Sequence, residues 1–310
     1  MNDRQRHFLE TLAGEGVQWQ CPLSRHTSFA IGGPAEALVR AGDERLLQGV
    51  LRLCRDEGIP WRVIGRGTNL LVADRGVEGV VLRLIGDLAG SGERDLADGA
   101  VMLSAGGGAG FARVCREACE RGLAGLEFGC GIPGTVGGAV CMNAGAWGGE
   151  IGSLLRSIRV VDADGAEEIV TRTEDFTYRW WKGLAAVDGR GVITLAELCL
   201  RPGDRTAILA RVAEYDRLRR DRQPHQHASA GSFFKNPPGD SAGRLIEACG
   251  LKGLRVGAAM ISPLHANFLV NTGGATAAEV LRLMRLVQER VLQATGVALE
   301  AEVHFLGEMP

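Results

Sequence analysis

Two glycine-rich segments contain the residues best suited, by type and spacing, to holding a ligand against the main chain. The first reads Gly-Arg-Gly-Thr-Asn-Leu-Leu at residues 65–71 and directly follows an apolar stretch. The second reads Gly-Cys-Gly-Ile-Pro-Gly-Thr-Val-Gly-Gly-Ala at residues 129–139 and continues as Asn-Ala-Gly-Ala at 143–146. Because glycine has no Cβ atom, backbone N–H groups in such segments can approach a diphosphate or a flat ring. The first segment alone could equally be a tight turn, and the second a compact structural loop.

The composition is that of a globular protein and disfavours several partner classes. The chain has 310 residues, of which 45% are hydrophobic and 23% are charged, and its 45 glycines indicate many tight turns. A net charge of −2 and a pI of about 6.3 make nucleic acid a poor candidate partner. The arginines of residues 217–222 have two interpretations, either the solvated end of a helix or a contact to a ligand phosphate.

The cysteines and the N-terminal residues favour a cytoplasmic location. The eight cysteines show no C-x-x-C pair and no disulfide or zinc spacing, so we expect buried free thiols, as in a reducing compartment, and no metal. Residues 1–10 are polar and charged, without the apolar stretch of a signal peptide. The weakly charged run at 122–149 carries a glutamate, a proline and many glycines, so it is not expected to cross a membrane.

The two glycine segments lie within a pattern of alternating strands and helices. A hairpin is predicted at residues 158–170 with Asp164-Gly165 as its turn, and Thr276 and Glu279 have the spacing of a capping box. Polar breaks near Asp87 and Pro202 suggest three parts, residues 1–88, 89–205 and 206–310. The remaining predicted helices cover residues 43–54, 111–119, 206–222, 242–249 and the stretch after Thr276, and the remaining strands cover 61–64, 79–82, 101–104, 192–200 and 297–306.

These segments together resemble one enzyme family. Gly-Arg-Gly-Thr-Asn-Leu-Leu, Gly-Ile-Pro-Gly-Thr-Val-Gly-Gly-Ala and Asn-Ala-Gly-Ala are similar to the FAD-contacting segments of the UDP-N-acetylenolpyruvoylglucosamine reductases. His-Thr-Ser-Phe-Ala-Ile-Gly-Gly at 26–33 resembles the entry into that family's flavin domain, and the similarity extends from about Thr27 to Gly307. The short connection before residue 232 resembles the family's shorter form, which lacks a lid segment carrying a tyrosine.

The resemblance implies a fold class, a cofactor and a reaction. The fold would be α+β, with a two-lobed FAD-binding domain of the PCMH/VAO type (residues 1–88 and 89–205) and a C-terminal substrate-binding domain (206–310). The reaction would reduce the enolpyruvyl group of UDP-N-acetylglucosamine enolpyruvate to give UDP-N-acetylmuramate for peptidoglycan synthesis. NADPH would reduce FAD, and a hydride would pass from flavin N5 to the vinyl carbon. The enzyme would be a cytoplasmic monomer without nucleic-acid or membrane partners.

The resemblance also assigns three catalytic residues, each with a role that its chemistry suits. Ser232, in Gly-Ser-Phe-Phe-Lys-Asn-Pro, would protonate the carbon that bears the carboxylate. Arg179 would stabilise negative charge on that carboxylate, since a guanidinium can bind it at two points. Glu302 would join Arg179 in polarising the carboxyl region, and a strand there would put Glu300 and Glu302 on one face.

Further contacts follow from the same resemblance. The expected FAD-binding residues lie in the two glycine segments: Gly65, Arg66, Gly67, Thr68, Asn69, Leu70, Gly131, Ile132, Pro133, Gly134, Thr135, Gly137, Gly138, Ala139, Asn143 and Gly145. The expected substrate-binding residues are polar or aromatic: Tyr178, Arg222, Lys235, Asn236 and His265.

Two departures from the family pattern affect the finer substrate contacts. Trp180-Trp181 occupy a stretch where the family usually has a small residue, and His304 stands where it often has arginine. Two other functions remain open at this stage. One is an FAD oxidase or dehydrogenase of the same superfamily with another substrate, and the other is a flavin-binding protein without catalysis.

Overall fold

A computed structural model describes residues 1–183 and 190–310 of the chain. The α-helices in this part of the chain are α1 (Asp3–Ala13), α2 (Glu44–Asp56), α3 (Phe111–Glu120), α4 (Val136–Cys141), α5 (Arg205–Arg222), α6 (Ala242–Ala248) and α7 (Ala277–Thr295). The strands are β1 (Val17–Pro22), β2 (Pro34–Ala41), β3 (Trp61–Val63), β4 (Leu70–Val72), β5 (Val77–Leu84), β6 (Ser91–Asp95), β7 (Val101–Gly106), β8 (Leu123–Ala124), β9 (Gly145–Ala146), β10 (Gly149–Glu150), β11 (Leu155–Asp162), β12 (Ala166–Val170), β13 (Phe176–Thr177), β14 (Trp180–Trp181), β15 (Gly191–Pro202), β16 (Ala228–Ser232), β17 (Arg255–Val256), β18 (Ala259–Ile261), β19 (Phe268–Asn271) and β20 (His304–Leu306).

The described chain forms two compact units. The first comprises Met1–Trp19, Ala37–Gly65 and Gly79–Leu218, and the second comprises Gln20–Glu36, Arg66–Glu78 and Arg219–Pro310. The first unit contains an antiparallel sheet in the order β12-β11-β15-β7-β6, with β8 also paired to β15. Its core includes the apolar face of α3, because residues such as Phe111, Val114 and Cys115 recur at helical spacing and are buried.

Helix α2 shows how the first unit is assembled from local signals. Asp43 caps it by accepting a hydrogen bond from the Leu46 amide at 2.8 Å, as the predicted helix at 43–54 requires. Its apolar face is buried against strands of the sheet ordered β1-β2-β5-β3, in which β3 and β5 are parallel. On its polar side, Glu44 accepts two hydrogen bonds from Arg159 of β11, at 2.7 and 3.0 Å. The helix is therefore fixed by both apolar and charged contacts.

The second unit is built around a sheet in the order β16-β19-β18-β17 and the long helix α7. The capping box predicted at Thr276 and Glu279 is present, since each side chain accepts a hydrogen bond from the other residue's amide at 3.1 Å. Asp74 adds a second cap, because its carboxylate accepts from the amides of Ala277 and Ala278. Helix α7 ends at Gly296, which has a left-handed φ of 73°.

Two further predictions from the sequence had different outcomes. The hairpin at 158–170 is confirmed: β11 and β12 pair around Asp164-Gly165, whose amides both donate to the Asp162 carboxylate at 2.8 Å. The strand predicted at 297–306 is wrong in extent, because only His304–Leu306 form a strand. The chain changes partner there. Residues 300–302 bond to residues 233–235, whereas β20 pairs in parallel with β4.

No helix within residues 1–183 and 190–310 is both long enough and apolar enough to cross a membrane. All eight cysteines lie in this part of the chain and are free thiols. The same residues contain no group of three or more histidine, cysteine or acidic side chains arranged to hold a metal ion.

Candidate active site

The first glycine segment follows β3. It is held in place by close backbone packing at Gly67 and by hydrogen bonds of Asn69. Gly67 has a φ of 62°, and a Cβ atom there would overlap the carbonyl oxygen of His26. Asn69 donates from its side-chain amide to the Glu302 carbonyl at 2.9 Å, and its own carbonyl accepts from the His304 amide at 3.0 Å. The segment is thus joined to the stretch that carries Glu302.

The second glycine segment is docked on a turn that the sequence analysis did not assign to the site. The amide of Val136 donates to the Ala109 carbonyl and that of Gly137 to the Gly107 carbonyl, both at 2.9 Å. Thr135 caps the short helix α4 by accepting from the Gly138 amide at 3.4 Å. The three consecutive glycines at 106–108 were the sequence signal for this turn. A Cβ atom at Gly107 would overlap the backbone of β15, so the close approach requires glycine.

Gly65, the first residue of the first segment, contacts the second segment within the first unit. A Cβ atom placed at Gly65 would lie 2.5 Å from the Thr135 hydroxyl oxygen, so only glycine permits this approach. Gly65 therefore packs against Thr135, the cap of α4.

The backbone at Gly138 has open space on one side. The residue is exposed, and a Cβ atom built on it would find no protein atom closer than the Thr135 hydroxyl oxygen at 3.4 Å. The space beside the backbone at Gly138 is thus open. A flat group such as the FAD ring system could approach there without displacing a side chain.

Arg179 lies in the turn of a small hairpin in the first unit. Strands β13 and β14 are joined by Tyr178 and Arg179, and Arg179 has a left-handed φ of 57°. Its Nη1 atom donates to the Gly145 carbonyl at 3.2 Å, and its guanidinium carbon lies 5.3 Å from the centre of the Tyr178 ring. The turn therefore holds a cation beside the Asn-Ala-Gly-Ala segment.

The two tryptophans that depart from the family pattern have different roles. Trp181 is only 2% exposed and stacks on Phe176, with ring centres 6.1 Å apart. It anchors the hairpin in the core of the first unit. Trp180 and Tyr178, in contrast, remain exposed on either side of Arg179 in sequence. The departure thus adds a buried anchor to the hairpin that carries Arg179.

Ser232 ends β16 at an irregular position of the second unit's sheet. The pairing of β16 with β19 shifts register between Ser229 and Ser232, and Gly231 has a φ of 80°. Such a bulge redirects side chains and often occurs beside functional sites. Asn267 fixes the backbone that follows, since its side chain accepts from the Phe234 amide at 2.9 Å and donates to the Phe234 carbonyl at 2.8 Å.

Glu302 lies on a stretch that is hydrogen-bonded in antiparallel order to the residues directly after Ser232. The Glu302 amide donates to the Phe233 carbonyl at 2.8 Å, and the Lys235 amide donates to the Glu300 carbonyl at 2.9 Å. Two of the three predicted catalytic residues, Ser232 and Glu302, therefore lie on neighbouring stretches of the second unit. Arg179 belongs to the first unit. The sequence analysis did not identify Asn267 as a supporting residue.

The residues predicted to bind substrate mostly have protein partners. Lys235 forms an ion pair with Glu300 at 3.2 Å, and the Asn236 side chain accepts from the amide of Ala242 at the start of α6. His265 accepts from the Asn267 amide at 3.2 Å. Burial, together with the charge of Lys252, holds the pKa of His265 below its usual value. Arg222 and Tyr178 are exposed.

Two family models and several relatives match this chain. One family model matches residues 223–306 and is described as the UDP-N-acetylenolpyruvoylglucosamine reductase C-terminal domain, and another matches residues 35–171 and is described as an FAD binding domain. Two relatives bear the same reductase name. The one from Heliobacterium modesticaldum is 45% identical and covers 94% of this chain and 91% of its own. The one from Symbiobacterium thermophilum is 46% identical, covering 93% and 92%.

A solved structure extends the similarity to three dimensions. The crystal structure of UDP-N-acetylenolpyruvylglucosamine reductase from Thermus caldophilus superposes with a TM-score of 0.77 at 39% identity. The match covers 94% of this chain and 99% of that one. The predicted α+β class, with an FAD-binding domain followed by a C-terminal reductase domain, is confirmed.

Proposed function

The chain belongs to the UDP-N-acetylenolpyruvoylglucosamine reductase family, and we propose that Ser232 is the proton donor of its reaction. The chain reduces UDP-N-acetylglucosamine enolpyruvate to UDP-N-acetylmuramate, a precursor of peptidoglycan, with FAD as cofactor and NADPH as hydride donor. When bound, FAD supplies the two-electron chemistry that relays a hydride from NADPH to the vinyl carbon. The chain's own residues must then stabilise the developing negative charge and deliver one proton.

The antiparallel pairing of residues 233–235 with 300–302 is the observation that carries this proposal. It places a hydroxyl, Ser232, and a carboxyl group, Glu302, on neighbouring hydrogen-bonded stretches of one unit. A serine hydroxyl is a weak acid in water, so proton delivery from Ser232 needs a polar neighbour that favours it. Glu302 is the residue of suitable type that the fold supplies, and we assign it the polarisation of the substrate carboxyl region.

We assign Arg179 the stabilisation of negative charge on the substrate carboxylate. A guanidinium is planar and permanently charged, and it can donate two parallel hydrogen bonds to a carboxylate. The left-handed turn conformation and the Gly145 contact limit the positions that this group can occupy. Such restriction favours catalysis because the charge is already oriented before the reaction.

The glycine segments are proposed to bind FAD, mainly through their backbone. The open side of Gly138 and the approach of Gly65 to Thr135 support this assignment. The proposed residues are Gly65, Arg66, Gly67, Thr68, Asn69, Leu70, Gly131, Ile132, Pro133, Gly134, Thr135, Gly137, Gly138, Ala139, Asn143 and Gly145. Tyr178, Arg222, Lys235, Asn236 and His265 are proposed to contact substrate.

The remaining proposals concern organisation and location. We propose a cytoplasmic monomer that binds neither nucleic acid nor membrane. We also propose the division into residues 1–88, 89–205 and 206–310. The gap between the two family models, whose matches end at 171 and begin again at 223, supports only the boundary at 205.

Separate half-reactions test the role of Ser232. The purified protein is reduced anaerobically with NADPH, substrate is added, and flavin reoxidation is followed at about 450 nm. We expect Ser232→Ala to retain FAD and its reduction by NADPH but to lose reoxidation by substrate. Ser229→Ala, in the same strand, is the matched control, because the backbone carbonyl of Ser229 that Ser28 contacts is retained.

Two results would contradict the proposal at different levels. Normal reoxidation in Ser232→Ala would remove this serine from proton transfer while leaving the activity intact. No substrate-dependent loss of NADPH in the unmodified protein would instead reject the activity itself.

A further inference from the structure

The Asn143 side chain is buried and occupied by two bonds to the protein. The residue is 1% exposed. Its side-chain nitrogen donates to the Thr177 carbonyl at 3.1 Å, and its side-chain oxygen accepts from the Gly152 amide at 3.0 Å. The left-handed φ of 40° is one that asparagine tolerates better than most residues. The amide therefore links the second glycine segment to β13.

Thr177 is the residue that leads directly into the turn carrying Arg179. It ends β13 and pairs with Trp180 across a two-residue turn. Since β13 and β14 contain only two residues each, their own ladder is short and gives the turn little support. A side-chain bond to the Thr177 carbonyl therefore fixes the backbone one step before Tyr178 and Arg179.

The same segment also holds the guanidinium. Gly145, two residues after Asn143, accepts the hydrogen bond from Arg179 Nη1. Gly152, which donates to the Asn143 side-chain oxygen, is also fixed in place. It packs so closely on the Phe176 ring that a Cβ atom would overlap the ring. Residues 143–145 thus restrain both the backbone that leads into the turn and the Arg179 guanidinium.

We propose that Asn143 is a positioning residue for Arg179. The hydrogen bond from its side-chain amide to Thr177 fixes the position of β13 relative to the Asn-Ala-Gly-Ala segment, and therefore the position of the Arg179 guanidinium. This inference rests on the proposed role of Arg179 in stabilising the substrate carboxylate. It assigns the Asn143 side chain a task separate from FAD binding, which the backbone of this segment can still perform.

Asn143→Asp tests the hydrogen bond that the Asn143 side chain donates to the Thr177 carbonyl. Aspartate has nearly the same shape and can still accept from the Gly152 amide, but it sets a carboxylate oxygen against the Thr177 carbonyl. We expect a fall of about 10- to 100-fold in the rate of reoxidation by substrate, since small displacements of an orienting group cost rates of this order. Because the FAD contacts proposed for this segment are made mainly by its backbone, FAD content and the rate of flavin reduction by NADPH should fall much less than the rate of reoxidation by substrate.

The matched control is Asn2→Asp. It makes the same chemical change at the N-cap of α1, where the side chain accepts from the Gln5 amide and where aspartate caps equally well. The control variant should retain all rates. A fall equal to that of Asn143→Asp would make added charge the cause and would overturn the inference.

A double-mutant cycle with Arg179→Ala decides whether Asn143 acts through Arg179. In the Arg179→Ala background we expect Asn143→Asp to change substrate reoxidation less than twofold. The same fold loss in both backgrounds would overturn the inference, because the asparagine would then act independently of the arginine. An unchanged rate in Arg179→Ala alone would instead refute the proposed role of Arg179.

A second substitution guards against misfolding. If Asn143→Asp loses FAD, the cycle is repeated with Asn143→Ser, whose hydroxyl can keep one of the two hydrogen bonds. Coupling to Arg179 in that variant would support the inference. Loss of FAD from both variants would overturn it, since Asn143 would then be needed for the cofactor segment as a whole.

Discussion

Replacing Gly138 with leucine should prevent FAD binding while leaving the protein folded. Gly138 is the third residue of α4, is exposed, and has open space where a side chain would begin. Leucine is a good helix former, so the substitution suits the local backbone. Its side chain would occupy the space proposed for the cofactor.

The expected changes in the free energy of unfolding have opposite signs with and without FAD. Without FAD, replacing a helical glycine stabilises by up to about 1 kcal/mol, because the unfolded chain loses conformational freedom. With FAD at a hundred times its Kd, the unmodified protein gains about 2.7 kcal/mol from binding. A variant that cannot bind FAD forgoes that gain, so it should be the less stable protein when FAD is present.

The assay is urea unfolding of FAD-free protein with and without added FAD, together with the flavin absorbance of the purified protein. Gly92→Leu is the matched control, since Gly92 is also exposed, has no protein atom within 4 Å of a Cβ position, and lies in edge strand β6 of the same unit. It should bind FAD normally. Stoichiometric FAD in Gly138→Leu, with the usual gain in stability, would refute the reasoning that the cofactor lies against this backbone.

Three other predictions concern stability and thiol reactivity. Arg159 holds the pKa of Glu44 below its unfolded value, so the stabilisation is full above about pH 4.3 and is lost as the pH falls through the folded pKa; the stability difference between the protein and Glu44→Gln should shrink on acidification, and a constant difference would contradict this. Burial raises the pKa of Cys54 to about 12, so iodoacetamide at pH 8 should leave Cys54 unmodified in folded protein but not in urea, as peptide mass spectrometry can check. The pKa of His265 lies below its unfolded value, so the unfolded chain binds the proton first; stability should fall as the pH decreases below about 6.5, and His265→Gln should weaken that dependence in thermal unfolding.

Residues that act through near neighbours in sequence were the ones the sequence could determine. The Thr276–Glu279 capping box, the Asp43 cap of α2 and the Asp164-Gly165 turn each depend on bonds spanning two or three residues. Such bonds form in the same way in any fold that admits the segment. The glycine segments were recognisable for a similar reason, since a left-handed φ or a close approach, as at Gly67, excludes other residue types.

Residues that depend on distant partners were decided only by the tertiary structure. The sequence predicted one strand at residues 297–306, but the chain there bonds first to residues 233–235 and then to β4. The pairing of residues 300–302 with 233–235 puts Ser232 and Glu302 on neighbouring stretches. The family resemblance named Asn143 as a cofactor-binding residue, and only the structure shows that its side-chain amide bonds to Thr177 and Gly152. Local sequence does not encode which carbonyl a buried amide will reach, because that choice depends on how separate segments pack.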